Sequence, residues 1–370
     1  MRDLEFEKVV FECQCEIDNK FWFFTNMGNH ICSMSKECDV IDYIDINPYE
    51  ELEYNYLYAA LIPYKQKIYL IPRAAKHIGI YDIEKREFDK INLEEATGLM
   101  PITYNESLKF SSAVLVKDKI FLIPRKYPAI VEINLKSGKI TYHKDWLKQY
   151  QKVMLFDGDY FLYDYVVYEN KIYLPALSAG ALIVIDSVRD NVTFFETKYE
   201  SFYSGIEIYD SKLYISRANT GDIEIWDVNK MEYMDLIPIK CGNNHGPIAF
   251  GWLKRIENNI MLIPFWHSDT LVMSEQGDVI QKYPIFRPKN ESQIAVCAQW
   301  FSDGRLYLLD NINKYISVYN ENGQFIERFI PYLPKEMWNN ALKKKMSISG
   351  LLYESKTVSL SDFVDLLIEQ

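Results

Sequence analysis

The sequence has no segment that would carry it into or across a membrane. Its first twenty residues mix charged and apolar side chains and contain no apolar core of the kind that a secretory signal peptide needs. No window approaches the ~18 uninterrupted apolar residues of a transmembrane helix. We therefore expect a cytoplasmic protein that has no membrane partner.

Cationic side chains are also in the minority. The 370 residues include 41 Lys and Arg against 52 Asp and Glu, which gives a net charge of −11. An acidic surface repels phosphate backbones and anionic lipids. The charge balance therefore argues against nucleic acid as a partner and leaves a protein, a peptide or a small ligand.

The sequence contains none of the usual metal or cofactor motifs. The first four of its six cysteines could be considered as a metal site, but they lack C-x2-C spacing and a nearby His pair. We interpret all six as reduced structural residues: Cys13, Cys15, Cys32, Cys38, Cys241 and Cys297. There is no G-x-S-x-G, P-loop, G-x-G-x-x-G or H-E-x-x-H motif either. We predict no cofactor and no metal.

What the sequence does contain is an internal repeat. A polar turn followed by a basic or amide residue and an apolar-aromatic run, such as "KIYLIP" and "KIFLIP", occurs seven times at intervals of 41 to 52 residues. We call the first residue of each run the anchor: Lys20, Lys67, Lys119, Lys171, Lys212, Asn259 and Arg305. Intervals of this length are typical of propeller blades.

The seven copies also share an internal register. A second apolar run begins eleven residues after the anchor, except that Thr270 precedes it in the sixth copy. Four residues later stands a side chain that can close an Asx- or Ser-type turn: Ser35, Asp82, Asn134, Asp186, Asp227, Ser274 and Asn320. With one apolar run before the anchor and one strand after the turn, each copy predicts a four-stranded antiparallel blade.

The residues of the repeat resemble those of the β-propeller superfold over roughly residues 5–333. Trp226 and Asp227 in "IWD" resemble the end of a WD40 repeat, and "ALIVIDSVRDNV" has the rhythm of the YVTN propellers, whereas the Gly-Gly pairs of Kelch repeats are not found. The prediction is an all-β, seven-bladed β-propeller over residues 1–333. A six-bladed ring with the divergent first copy outside it is the alternative. The resemblance implies the fold and not the function, because propellers host unrelated chemistries.

Residues 334–370 are predicted to form a helical extension packed on the propeller. "PKEMWNNALKKKM" begins with Pro and ends in Lys, as short helices do. "SLSDFVDLLIEQ" offers Ser359 as an N-cap and an apolar stripe of Phe363, Leu366 and Leu367. A docking helix for a partner is the alternative.

The interior of the propeller is predicted from a repeated aromatic two residues after the anchor. Tyr, Phe or Met stands there in the last six copies: Tyr69, Phe121, Tyr173, Tyr214, Met261 and Tyr307. We expect these side chains to form a layer between blades.

A ligand-binding site is predicted where the second strands end, on the face that also carries the blade-to-blade connections. Arg73, Arg125 and Arg217 all follow second strands, with His77 and Trp266 in related loops. Several cations at one pore mouth of an acidic protein would attract a carboxylate or phosphate, which Arg binds in a bidentate manner. In the alternative, each Arg pairs with a carboxylate of a neighbouring blade.

Two functions compete at this stage. The first is a non-catalytic scaffold or recognition module that binds a protein, a peptide or a small anionic ligand on the pore-mouth face. The alternative is a lyase, cyclotransferase or hydrolase with its site over the pore, for which His245 and His267 are the candidate catalytic residues. That alternative rests on analogy with other propellers.

Overall fold

The structure is a computed structural model that describes residues 6–25, 29–35, 40–45, 56–197, 201–239, 246–285 and 293–334. Its strands form seven four-stranded antiparallel sheets, and in each sheet the strands pair in sequence order. The predicted seven-bladed propeller is therefore confirmed, and the six-bladed alternative is wrong. The helical extension was assigned to residues 334–370, of which Pro334 is the last residue of a strand and residues 335–370 lie outside the described residues.

The chain divides into two compact units, residues 1–93 with 329–370 and residues 94–328. In the first unit, β1 (Phe6–Lys8) pairs with β30 (Tyr332–Pro334). Blade 1 contains β2 (Phe11–Ile17), β3 (Lys20–Thr25), β4 (His30–Met34) and β5 (Val40–Asp45). Blade 2 contains β6 (Tyr58–Tyr64), β7 (Lys67–Pro72), β8 (His77–Asp82) and β9 (Glu87–Asn92).

The second unit contains the other five blades. Blade 3 consists of β10 (Phe110–Val116), β11 (Lys119–Pro124), β12 (Ile130–Asn134) and β13 (Ile140–His143). Blade 4 consists of β14 (Val166–Tyr168), β15 (Lys171–Pro175), β16 (Ala181–Asp186) and β17 (Asn191–Glu196). Between these two blades lies α1 (Leu147–Lys152), and a turn of 3-10 helix (Glu106–Leu108) precedes blade 3.

Three further blades complete the second unit. Blade 5 is built from β18 (Tyr203–Tyr209), β19 (Lys212–Arg217), β20 (Ile223–Asp227) and β21 (Glu232–Ile237). Blade 6 is built from β22 (Phe250–Ile256), β23 (Asn259–Pro264), β24 (Asp269–Ser274) and β25 (Val279–Pro284). Blade 7 is built from β26 (Val296–Ser302), β27 (Arg305–Asp310), β28 (Tyr315–Tyr319) and β29 (Phe325–Phe329). No helix in the described part of the chain has the length and apolar character to cross a membrane.

The structure confirms the predicted positions of the anchors and shows the predicted turns at Asn134 and Asp227. Each anchor is the first residue of the second strand of its blade. After the third strand, the Asn134 side chain accepts hydrogen bonds from Lys136 N at 3.1 Å and Ser137 N at 3.0 Å. Asp227 accepts from Asn229 N and Lys230 N, both at 2.9 Å. These bonds satisfy backbone donors that a tight turn leaves outside the ladder.

The predicted aromatic layer is buried. All six of its residues are 9% exposed or less. Phe121 of blade 3 lies in one buried cluster with Trp146 and Ile172, which belong to the elements that follow its own blade. Met261 of blade 6 packs in the same manner with Leu306 of blade 7. Within the second unit, Phe121 and Met261 thus lie in cores shared by successive blades, as the sequence predicts.

A buried ion pair connects the first strands of blades 5 and 6 to the segment that enters blade 4. Asp164, which is 2% exposed, lies 2.5 Å from Nζ of Lys254 in β22. Its Oδ2 also accepts hydrogen bonds from Ile206 N at 2.8 Å and Leu253 N at 3.0 Å. First strands are sheet edges, so these N–H groups would otherwise lack an acceptor.

Candidate functional site

The three arginines of the predicted anion site each pair with a carboxylate. Arg73 Nη1 lies 2.5 Å from Glu12 Oε2 in blade 1, and its guanidinium lies over the Tyr56 ring. Arg125 Nε lies 2.6 Å from Asp159 Oδ2. Both guanidinium groups are thus engaged by protein carboxylates.

Arg217 has the most buried carboxylate partner of the three. Its Nε lies 2.7 Å from Oε1 of Glu224, a fully buried residue of the same blade. Glu224 also accepts hydrogen bonds from the Tyr203 hydroxyl at 3.1 Å and from Trp226 Nε1 at 3.0 Å. Arg73 thus pairs with a carboxylate of a neighbouring blade, as the ion-pair alternative describes, whereas Arg217 pairs within its own blade. A shared anion site for the three arginines stays a prediction.

The histidine and tryptophan candidates occupy separate positions. His77 begins β8, and its buried Nδ1 has no hydrogen-bond partner among the described residues. Trp266 packs edge-on against Phe265 with ring centroids 4.7 Å apart. His267 is 3% exposed, and its Nδ1 lies 3.0 Å from Asp269 N. His267 thus helps to shape its turn, and a catalytic role for it stays a prediction; His245 lies outside the described residues.

The cysteines form no metal site in the described part of the chain. Cys13, Cys15, Cys32 and Cys297 are buried and form no disulfide among the described residues, while Cys38 and Cys241 lie outside them. Burial raises the pKa of the Cys13 and Cys15 thiols, which keeps them protonated. No group of three or more His, Cys, Asp or Glu side chains among these residues could hold a metal ion.

A cavity of about 320 Å3 lies between blades 6 and 7. Thr270, Tyr283, Pro284 and Ile285 line it from blade 6 and the residue that follows it. The lining from blade 7 comprises Val296, Leu308, Asp310, Tyr315, Ser317, Tyr319, Phe325 and Arg328. We call this cavity the 6/7 cleft. Sequence analysis did not predict it.

The 6/7 cleft is associated with a missing aromatic side chain. Before the first strand of a blade runs along the second, one residue makes the first pair between them. In six blades this residue is a buried aromatic: Phe11, Tyr58, Phe110, Phe161, Tyr203 and Phe250. Blade 7 has Val296 at this position, opposite Asp310. A second small residue, Ser317, stands opposite Leu308. Blade 6 has Leu271 at that third-strand position and blade 5 has Glu224.

The polar groups of the 6/7 cleft are Arg328 and the cluster around Asp310. Arg328 Nε donates to Ser317 Oγ at 3.4 Å, and its guanidinium carbon lies 3.7 Å from the centroid of the Tyr315 ring. Burial, assisted by the Asp310 carboxylate, raises the pKa of Tyr315, so its hydroxyl remains a donor at neutral pH. The cleft therefore combines aromatic walls with one cation, one buried carboxylate and a few oriented polar groups.

Sequence reasoning missed these residues although one signal was present. When the seven first strands are aligned by their pairing with the second strands, six of them have an aromatic residue at one position. The seventh has Val296 there. The residues next to Ser317 and Arg328 in the sequence give no indication that these two side chains line a cavity, because the cavity also depends on other strands.

No protein-family model matches the chain, and no curated protein is similar to it in sequence. Solved structures are similar in fold. A structure entitled streptogramin B lyase has a TM-score of 0.60 at 13% identity, over 82% of this chain and 91% of that one. A catalytically inactive virginiamycin B lyase from Staphylococcus aureus with quinupristin has 0.61 at 12%, over 84% and 94%.

A non-enzymatic title also occurs among the similar structures. The WD40 repeats of RRP9 align with a TM-score of 0.58 at 9% identity, over 83% of this chain and 90% of that one. At such low identities a common fold is compatible with different functions. The comparisons therefore show that this chain is a β-propeller, with both lyases and WD40 repeat proteins among its structural neighbours.

Proposed function

We propose that this protein is a recognition module that binds a small ligand, or one side chain of a peptide, in the 6/7 cleft. The observation that supports this most is the substitution of Val296 for the aromatic residue of the other six blades. An aromatic ring at that position is part of the packing of the other blades, so the smaller Val296 leaves space in the cleft that a ligand can occupy.

The size and lining of the cleft support the proposal. Ligand pockets are concave, mostly apolar and have a few placed polar groups, with volumes of roughly 300–1,000 Å3. The volume of about 320 Å3 is at the lower end of that range. Tyr283, Tyr319 and Phe325 supply aromatic surface, and Arg328 and Ser317 supply polar contacts.

The position of the cleft agrees with the face predicted from the repeats. Val296 begins a first strand, Asp310 ends a second strand and Tyr315 begins a third. In an antiparallel blade these ends share one face, which is also the face of the blade-to-blade connections. The ligand class predicted for that face is thus retained, while the residues proposed to bind it change.

The test is a variant that fills the cleft with the residue type of the other blades. Binding of a fragment panel is measured by saturation-transfer difference NMR for the wild type, for Val296→Phe and for Val279→Phe. Val279 is 37% exposed, begins β25 and is not among the cleft residues, so the same change there is the matched control. We expect fragments that bind the wild type and Val279→Phe to lose their signal with Val296→Phe.

A second variant covers the case in which Val296→Phe does not fold. Ser317→Leu introduces the residue that blade 6 has at the equivalent position, and it narrows the cleft from another side. Circular dichroism confirms that each variant is folded. If the wild type binds no fragment, or if folded variants bind the same fragments as strongly, the 6/7 cleft is not a ligand site.

A further inference from the structure

We infer that the 6/7 cleft takes a small carboxylic acid with an apolar body, and that Arg328 binds its carboxylate. This inference rests on the proposed function and specifies the ligand class for the same site. Three observations support it: the stacking of Arg328 on aromatic rings, the positive charge of Arg328, and the apolar and aromatic side chains that line the cleft.

Arg328 is held in place by aromatic rings. Its guanidinium carbon lies 3.7 Å from the centroid of the Tyr315 ring and 5.6 Å from that of Phe325. A guanidinium stacked on a ring has a restricted orientation, so less conformational entropy is lost when it binds a ligand. A cation–π contact uses the face of a guanidinium group and not its N–H donors, so Nη1 and Nη2 are left to bind a ligand.

The charge of Arg328 is not neutralised by an ion pair within the described part of the chain. The hydrogen bond there goes from Nε to the neutral hydroxyl of Ser317, at 3.4 Å. By contrast, Arg73, Arg125 and Arg217 all have carboxylate partners at 2.5–2.7 Å. Arg328 therefore differs from the arginines that the sequence first indicated, because its charge is still available to an anion.

The carboxylate of the cleft is already engaged by the protein. Asp310 is 3% exposed, and its Oδ1 accepts hydrogen bonds from Ile312 N and Asn313 N, both at 2.8 Å. Its Oδ2 accepts from the Asn313 side-chain amide, also at 2.8 Å. These donors are neutral, so Asp310 keeps its negative charge, but its carboxylate is already held by three hydrogen bonds within the turn. Arg328 is thus the cation that the cleft presents to a ligand.

The chemical class follows from geometry and charge together. A guanidinium group presents parallel N–H donors that match the two oxygens of a carboxylate, and its single charge balances a monoanion. Tyr283, Leu308 and Tyr319 provide walls for an aryl or acyl group next to that carboxylate. The volume limits the ligand to the size of a small metabolite or one amino acid side chain.

The experiment compares matched ligands on matched variants. Aryl and short acyl acids, their primary amides and the corresponding aryl phosphates are titrated against the wild type, Arg328→Gln and Arg305→Gln, with affinity measured by NMR. Arg305 is an exposed arginine of the same blade that is paired with Glu327 and is not among the cleft residues, so it serves as the control. We expect acids to bind the wild type and Arg305→Gln roughly 10- to 100-fold more tightly than amides, and Arg328→Gln to remove this difference.

The outcomes separate the ligand class from the proposed function. If acids and amides bind alike and Val296→Phe abolishes both, the cleft is a ligand site but its ligand is not a carboxylate. If phosphates bind more tightly than acids and lose affinity with Arg328→Gln, the carboxylate assignment is replaced by phosphate. If acids, amides and phosphates all fail to bind the wild type, the inference and the proposed function both fail.

Discussion

The buried pair of Asp164 and Lys254 allows a prediction about stability as a function of pH. In Lys254→Met the carboxylate keeps its hydrogen bonds from Ile206 N and Leu253 N but loses the ammonium 2.5 Å away. Breaking a buried ion pair by removing one partner costs about 3–5 kcal/mol, because the remaining charge is left without compensation. We expect a loss of this size in the free energy of unfolding at pH 8.

The loss in the free energy of unfolding caused by Lys254→Met should increase as the pH rises. Burial raises the pKa of Asp164 to about 6, although Lys254 and the two backbone N–H groups act in the opposite direction. Removing Lys254 takes away one of these opposing contributions, so the pKa of Asp164 rises further. A carboxyl whose pKa is higher in the folded protein contributes stability below its unfolded pKa and loses that contribution as the pH rises through the folded pKa. The penalty of Lys254→Met is therefore small at pH 5 and reaches its full size at pH 8.

Urea unfolding followed by tryptophan fluorescence at pH 5 and pH 8 measures this difference. Lys136→Met is the control, since Lys136 pairs with Asp118 at 2.6 Å but is 74% exposed. An exposed pair of this kind contributes about 0–1 kcal/mol. Equal stability of Lys254→Met and the wild type at both values of pH would refute the argument, as would a penalty that grows as the pH falls.

Two further substitutions test the packing of the blades. Phe121→Ala removes a fully buried ring from the layer between blades and should cost about 3–5 kcal/mol in urea unfolding, whereas Phe301→Ala, at a site 47% exposed, should cost about 0.5 kcal/mol or less. Arg217→Ala leaves the buried Glu224 carboxylate without its guanidinium partner and should lower stability by about 3–5 kcal/mol. An Arg217→Ala protein that melts like the wild type but has lost affinity for aryl carboxylates would instead support the arginine site predicted from the sequence.

The sequence was sufficient to predict the features of the fold that depend on neighbours in the chain. Some features act only on residues a few positions away in the chain: the alternation of buried and exposed strand residues, the anchors, and turn-forming side chains such as Asn134 and Asp227. Each copy of the repeat therefore contains the residues that determine them. Seven copies in one register then predict the number of blades. The burial of Phe121 and Met261 follows from the same register, because equivalent positions of stacked sheets face equivalent surroundings.

The sites were decided by tertiary structure. Arg73 is paired with a carboxylate 61 residues away and Asp164 with an ammonium 90 residues away. No local sequence pattern indicates partners that are so far apart along the chain. Spacing placed the three arginines at equivalent strand ends, but only the packed strands show which carboxylate each of them contacts.

The 6/7 cleft shows the same division most clearly. Val296, Ser317 and Arg328 lie on three different strands of blade 7, and Tyr283 comes from blade 6. Each is unremarkable in its own segment of sequence. A cavity exists where facing side chains are too small to fill the space between two sheets, and that depends on strand pairing and sheet packing together, so the sequence of any one strand cannot determine it.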